Sequence, residues 1–212
     1  DRANHSKVEL RFDGYFQELV GTLAHQIDIH ILTLRGIAGL FGGSEQVTRG
    51  EFRDYVDSMQ LSAHLPGVKA VGYAIAVPAP KLAAHEAQVR AEGLTEYRVW
   101  PPSDRSDYAP LLYVEPASPD NRQALGFDLL GDPVRAAALA QAAHSGDVSM
   151  TPPLRLLSES DDGSAGGLVL YFPDYCAPGE VDPARTSLPR VCGWLFMEIR
   201  VNSALRSALG RG

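Results

Sequence analysis

Arg105-Ser106-Asp107-Tyr108-Ala109-Pro110-Leu111-Leu112-Tyr113-Val114-Glu115-Pro116 is a polar turn that runs into a short apolar and aromatic strand and stops at a proline. Pro110 has no N–H to give to a ladder, so it belongs at the start of that strand or on its edge side. Tyr108, Leu111, Tyr113 and Val114 suit a strand. Arg105 and Asp107 fall where a loop can present charged groups to a ligand. Taken alone, a turn and strand of this kind is structural before it is functional.

Outward from this stretch the chain alternates helices and strands. Toward the N-terminus, Phe16, Val20, Leu23, Ile27, Ile31, Leu34, Ala38 and Phe41 recur at intervals of three and four, which predicts one long helix from about His5 to Leu40. About ten turns is long beside the mean globular helix of ~12 residues. A stripe of that length serves either as an ordinary core face or as a signalling stalk that pairs with a second copy. Gly42 and Gly43 end it. Ser44 or Thr48 is the N-cap of a second helix reaching about Ala63, Thr48 with Glu51 three residues on forming a capping box. Val68 to Val77 reads as a strand, Lys81 to Glu92 as a helix and Tyr97 to Trp100 as a strand. Beyond the opening stretch, Asp132-Pro133 starts an alanine-rich helix that stops before Gly146. Val148 to Leu157 is a strand interrupted by Pro152-Pro153, and Ser158 to Gly167 is a polar hairpin loop. Leu168 to Phe172 and Gly193 to Ile199 are strands, and Val201 to Leu209 is a last helix. This mixture predicts an α+β fold with largely antiparallel sheets.

The composition narrows the classes. The 212 residues are 45% hydrophobic, enough for a sizeable core in one large domain or two small ones. A formal charge of −7 without any basic run argues against nucleic acid and against a polybasic membrane patch. No apolar run approaches the ~20 residues that span a bilayer, and Asp1-Arg2-Ala3-Asn4 does not read as a signal peptide.

Several short stretches stand in a recognisable order: Leu65-Pro66-Gly67-Val68-Lys69-Ala70-Val71-Gly72-Tyr73, then Arg105 to Pro116, then Ala124-Leu125-Gly126-Phe127-Asp128-Leu129-Leu130 with Asp132-Pro133. Met150-Thr151-Pro152-Pro153-Leu154-Arg155-Leu156 and Leu168-Val169-Leu170-Tyr171-Phe172-Pro173-Asp174-Tyr175 follow. Together they resemble the CHASE domain, the extracellular sensory module of bacterial histidine kinases and diguanylate cyclases and of plant cytokinin receptors. The resemblance implies a long stalk helix over residues 1–41 and a membrane-distal PAS-like ligand-binding half over 42–157. A membrane-proximal PAS-like half with an exit helix over 158–212 completes it, with a soft boundary near Ser158. It implies a small-molecule sensor without enzymatic activity, cofactor or metal, lying in the periplasm or outside the cell. The segment would belong to an inner-membrane protein, between transmembrane helices, and would form a homodimer through the first helix. Any kinase or cyclase activity would lie outside this chain.

The same resemblance points to a ligand set of Ser106, Asp107, Tyr108, Leu125 and Thr151. In the plant receptors an aspartate just after the arginine of the corresponding motif holds an adenine ring. Here that position is Ser106, and the carboxylate follows at Asp107. Neighbouring side chains of a strand face opposite ways, so Asp107 does not simply take over. Serine lacks a charged acceptor, whose hydrogen bonds contribute ~1.5–3 kcal/mol. The expectation is a small, planar or weakly polar ligand, with affinity for adenine-type cytokinins weakened or lost.

Cys176 and Cys192 each lie at the loop end of a predicted strand. They are either two unrelated buried thiols or a bridge across the open end of a hairpin. In the oxidising periplasm that the resemblance implies, the bridge is expected.

Enzyme signatures are sparse. His5, His25, His30, His64, His85 and His144 show no compact metal-ligand spacing. Gly163-Ser164-Ala165-Gly166 is one residue short of a nucleophile elbow, and Asp161-Asp162 reads as a solvated loop. A ligand-independent interaction domain, or less readily a small hydrolase or metal-site protein, is the alternative.

Overall fold

The computed structural model of the protein describes residues 2–44, 46–157, 166–176 and 190–208. Helix α1 spans Arg2–Gly42. Helix α2, Arg49–Ser58, is capped by Thr48 and Glu51 reciprocally, with the Glu51 N–H donating to Thr48 Oγ1 at 3.2 Å and the Thr48 N–H donating to Glu51 Oε2 at 2.8 Å. It stops earlier than the expected Ala63. Gln60 takes a left-handed φ of 47°, and α3, Leu61–His64, begins anew.

Strand β1 is Val68–Ile75 and β2 the short Val77–Pro78. Helix α4 runs Leu82–Ala91, β3 is Asp107–Tyr108 and β4 is Leu111–Glu115. A short α5, Pro119–Gln123, carries no periodicity and goes unpredicted from sequence. Helix α6, Pro133–Ser145, starts where Asp132 Oδ1 accepts from the N–H groups of Val134 and Arg135. Strands β5 (Ser149–Met150), β6 (Gly167–Tyr175) and β7 (Val191–Arg200) follow, then α7, Val201–Ala208.

Five strands form one antiparallel sheet in the order β4-β1-β7-β6-β5, while β2 and β3 pair separately. This bears on the expected pair of sheet halves. Strands β1, β4 and β5 precede the boundary near Ser158, and β6 and β7 follow it, yet all five share one set of ladders. Ser158 itself lies outside the described residues. The β6–β7 pair inserts between β1 and β5, so hydrogen bonds tie both sides of that position together.

Residues Tyr97 to Trp100 are not the expected strand; only Trp100 makes an isolated bridge, to Phe127. Side chains of α4 take the backbone partners that a ladder would have used: Arg90 donates to the Tyr97 carbonyl at 3.0 Å, and Glu86 accepts from the Val99 N–H at 2.7 Å. Likewise Val148 to Leu157 contributes only β5 and a single bridge at Leu154, because two prolines follow Thr151.

The period of two along each strand divides the core into two faces. On the first, Val71 and Tyr73 of β1, Tyr113 of β4, Leu170 of β6 and Leu195, Met197 and Ile199 of β7 meet Leu34 and Ile37 of α1 and Phe52 and Val56 of α2. On the second, Ala70 and Ala74, Val169 and Tyr171, and Trp194 and Phe196 meet Ala138, Leu139 and Ala142 of α6.

Candidate functional site

Over one end of the first face lies a cleft of about 740 Å³. Its floor is Tyr73 and Ile75 of β1 with Tyr113 of β4. The last turn of α1 closes one side, α4 another, and the ends of β6 and β7 a third. The Cys176–Cys192 disulfide forms part of this rim, with Cα atoms 5.0 Å apart, and joins the ends of β6 and β7.

Aromatic rings build the floor. Phe41, at the end of α1, stacks on Tyr73 with centroids 4.4 Å apart, and Phe52 of α2 stacks on Tyr113 at 5.4 Å. Tyr113 donates its hydroxyl to the Val47 carbonyl at 2.8 Å, which ties the α1–α2 linker to the sheet. The Arg49 guanidinium lies 5.0 Å over the Tyr113 ring and donates to the Leu112 carbonyl at 2.8 Å.

Tyr73 makes the longest reach. From β1 its hydroxyl crosses β7 above Gly193 and donates to Asp174 Oδ2 on β6 at 2.9 Å. A Cβ at Gly193 would collide with that hydroxyl oxygen, so the crossing requires glycine. Burial and the neighbouring carboxylate push the Tyr73 hydroxyl well above its ordinary pKa and keep it a donor. Burial also raises the Asp174 pKa, with the Tyr73 hydrogen bond opposing. His85 of α4 borders the cleft with Nε2 3.1 Å from the Tyr97 hydroxyl, and burial lowers its pKa, which favours the neutral ring.

The residues singled out from sequence are scattered. Ser106 and Asp107 are exposed, and the Ser106 hydroxyl donates to Asp107 Oδ2 at 2.8 Å. Tyr108 is buried, with its hydroxyl donating to the Ser103 carbonyl at 2.7 Å and accepting from the Arg105 N–H at 3.3 Å. Leu125 is half-buried and borders a separate surface hollow of about 530 Å³ beside Tyr97 and Trp100. Thr151 lies beyond β5, at the sheet edge opposite β4, and its hydroxyl accepts from the Val169 N–H at 3.1 Å. None of the five lines the cleft.

What the opening stretch does is lock two loops together. Buried Asp128 accepts from the N–H groups of Ala109 at 2.8 Å and Leu130 at 3.2 Å, and Arg105 Nε stands 3.8 Å from its other oxygen. Residues 126–129 run beside 109–111: the Gly126 and Leu129 N–H groups donate to the Leu111 and Ala109 carbonyls, and the Leu111 N–H donates back to the Phe127 carbonyl. At Gly126, φ is +79° and a Cβ would collide with the Arg98 carbonyl oxygen, so only glycine passes.

Sequence reasoning missed Phe41, Tyr73, His85 and Asp174 as cleft residues. One signal was present: Asp174 shares its inward parity with Leu170 and Phe172, a carboxylate at the end of an apolar alternation. Among the described residues, no three histidine, cysteine or acidic side chains gather closely enough to hold a metal ion, and no helix is long and apolar enough to cross a membrane.

The chain is thus a mixed helix and antiparallel-sheet domain with a long N-terminal helix and an aromatic cleft. The family model of the CHASE domain matches residues 45–212, which is most of the chain, and the protein belongs to that family. CHASE domains are extracellular or periplasmic sensory domains. The matched region begins just beyond α1. No curated protein matches the chain.

Proposed function

We propose that this domain senses a small molecule in the cleft over the first face and passes the signal to a transmembrane histidine kinase or diguanylate cyclase through its terminal helices. One observation carries this: Asp174, Tyr73 and Phe41 form a continuous contact from the cleft to the end of α1. A ligand that engages Asp174 or Tyr73 acts on the ring against which α1 is seated. Signalling needs two arrangements that differ in affinity for the ligand, and the seating of Phe41 is the element that offers them. The single five-stranded sheet serves as one PAS-like sensing unit. The receptor lies in an inner membrane with hydrophobic spans flanking this segment, and two copies pair along the exposed N-terminal part of α1, where Phe16 and Val20 stay uncovered.

The test uses the whole chain and thermal shift against a small-molecule library that includes adenine-type cytokinins. A ligand that binds only the folded state raises stability by RT ln(1 + [L]/Kd). Ile75→Trp fills the cleft from its floor and is expected to abolish the shift for every hit. Hits that survive Ile75→Trp and vanish with Ser106→Ala or Thr151→Ala would move the site to the positions singled out from sequence. Asp placed at both Leu23 and Ile27 is expected to shift the sedimenting particle from dimer to monomer; a monomeric wild type would overturn the pairing.

A further inference from the structure

Among the described residues the cleft carries charge of one sign. Its lining includes the carboxylates of Asp174 and Glu92 and no lysine or arginine among the described residues. Glu92 feels Arg49, which sits over the Tyr113 ring behind the wall. Asp174 has no such complement among the described residues. Among the described residues its one hydrogen bond comes from Tyr73, and no ion pair reaches it. A carboxylate withdrawn from water and matched by one neutral donor is stabilised when a counter-charge arrives. His85, also in the lining, has its ring nitrogen at Tyr97 and a pKa lowered by burial.

The walls match the same chemistry. Phe41, Tyr73 and Tyr113 line the floor and side, and aromatic rings attract cations while accommodating an apolar body. A partner for this surface is therefore positively charged at one end and apolar or planar at the other. An anionic ligand would meet two carboxylates without a cation among the described lining residues to receive it.

Resting on the assignment of the cleft as the ligand site, we infer that its ligand is an organic cation, with an ammonium or protonated ring nitrogen at Asp174 and its body against the Phe41, Tyr73 and Tyr113 rings. This class differs from the weakly polar ligand expected from Ser106. Tyr73 holds one carboxylate oxygen in place, and the other remains for the incoming N–H.

Three similar probes that differ in charge decide it: phenethylammonium, 2-phenylethanol and phenylacetate, titrated into the full chain at millimolar concentration and followed by amide chemical shifts of the cleft residues. The ammonium is expected to bind at least about tenfold tighter than the alcohol, and phenylacetate not to bind. Asp174→Asn is expected to erase that preference. Tyr73→Phe, which keeps the ring and the carboxylate, is expected to retain it and guards against a folding defect at Asp174. Equal or tighter binding of the alcohol or of phenylacetate in the cleft overturns the cation and leaves the cleft as a ligand site. No binding of any probe, while library hits still stabilise the wild type but not Ile75→Trp, does the same. Library hits indifferent to Ile75→Trp overturn the cleft itself.

Discussion

On the second face of the sheet, Trp194, Phe196 and Tyr171 lie under the alanine-rich α6, and the Trp194 indole N–H donates to the Leu139 carbonyl at 3.2 Å. On the first face, Tyr73 and Tyr113 lie under the rings of Phe41 and Phe52, and a cleft of about 740 Å³ remains beside them. The same strands supply both faces, with alternate residues. The difference comes from what covers them. The second face is packed under the small side chains of α6, whereas on the first the rings of Phe41 and Phe52 stand on Tyr73 and Tyr113 at one end of the sheet. One face supports the fold, and the other leaves room for a ligand.

The largest effect that would separate the faces is expected at Trp194. Trp194→Ala removes a buried ring and leaves a cavity under α6, at a cost of about 3–5 kcal/mol measured by urea denaturation. The disulfide between the faces' shared strand ends comes next. Its reduction is expected to cost about 3 kcal/mol, since the loop it closes spans a sequence separation of 16. An unchanged urea midpoint after reduction would show that the β6–β7 pair holds its own ends. Phe41→Ala on the cleft wall removes a half-buried ring and is expected to cost only about 1–2 kcal/mol. If it costs as much as Trp194→Ala, the first face is as much a packed core as the second, and the contrast fails.

The smallest effect is a slope with pH. Burial raises the Asp174 pKa in the folded state, so the folded chain holds that proton to higher pH than the unfolded chain does. Its contribution to stability is full below the unfolded value of about 4 and is lost as pH rises through the folded pKa. Asp174→Asn is expected to remove that loss, seen as a flatter plot of urea midpoint against pH on the alkaline side of the carboxylate range. His85 works the other way: its pKa is lowered, so its contribution is present above about 6.5 and is lost as pH falls through the folded value. A variant at Asp174 that leaves the slope unchanged would place the carboxylate in water rather than in the cleft wall.

Much of this architecture is local and was legible in the residues. The capping box at Thr48, the Asp132-Pro133 start of α6 and the three-and-four spacing along α1 each involve residues within a turn or two of one another. Each can be read within a few residues of sequence, without knowledge of the rest of the chain. The motif order from Leu65 to Tyr175 likewise sufficed for the family. The role of the opening stretch did not follow from its residues, because Arg105 finds its partner at Asp128, across a fold contact that no spacing encodes.

The cleft belongs wholly to the tertiary structure. Phe41, Tyr73, His85 and Asp174 come from four elements, and only the β4-β1-β7-β6-β5 order brings β1 within reach of β6 across a glycine. The period of two along a strand puts Tyr73 on the side of Val71, and Asp174 on the side of Leu170 and Phe172. It carried no information on which strand would lie between them, because pairing partners and register are set by the burial of the whole sheet rather than by any neighbouring residue.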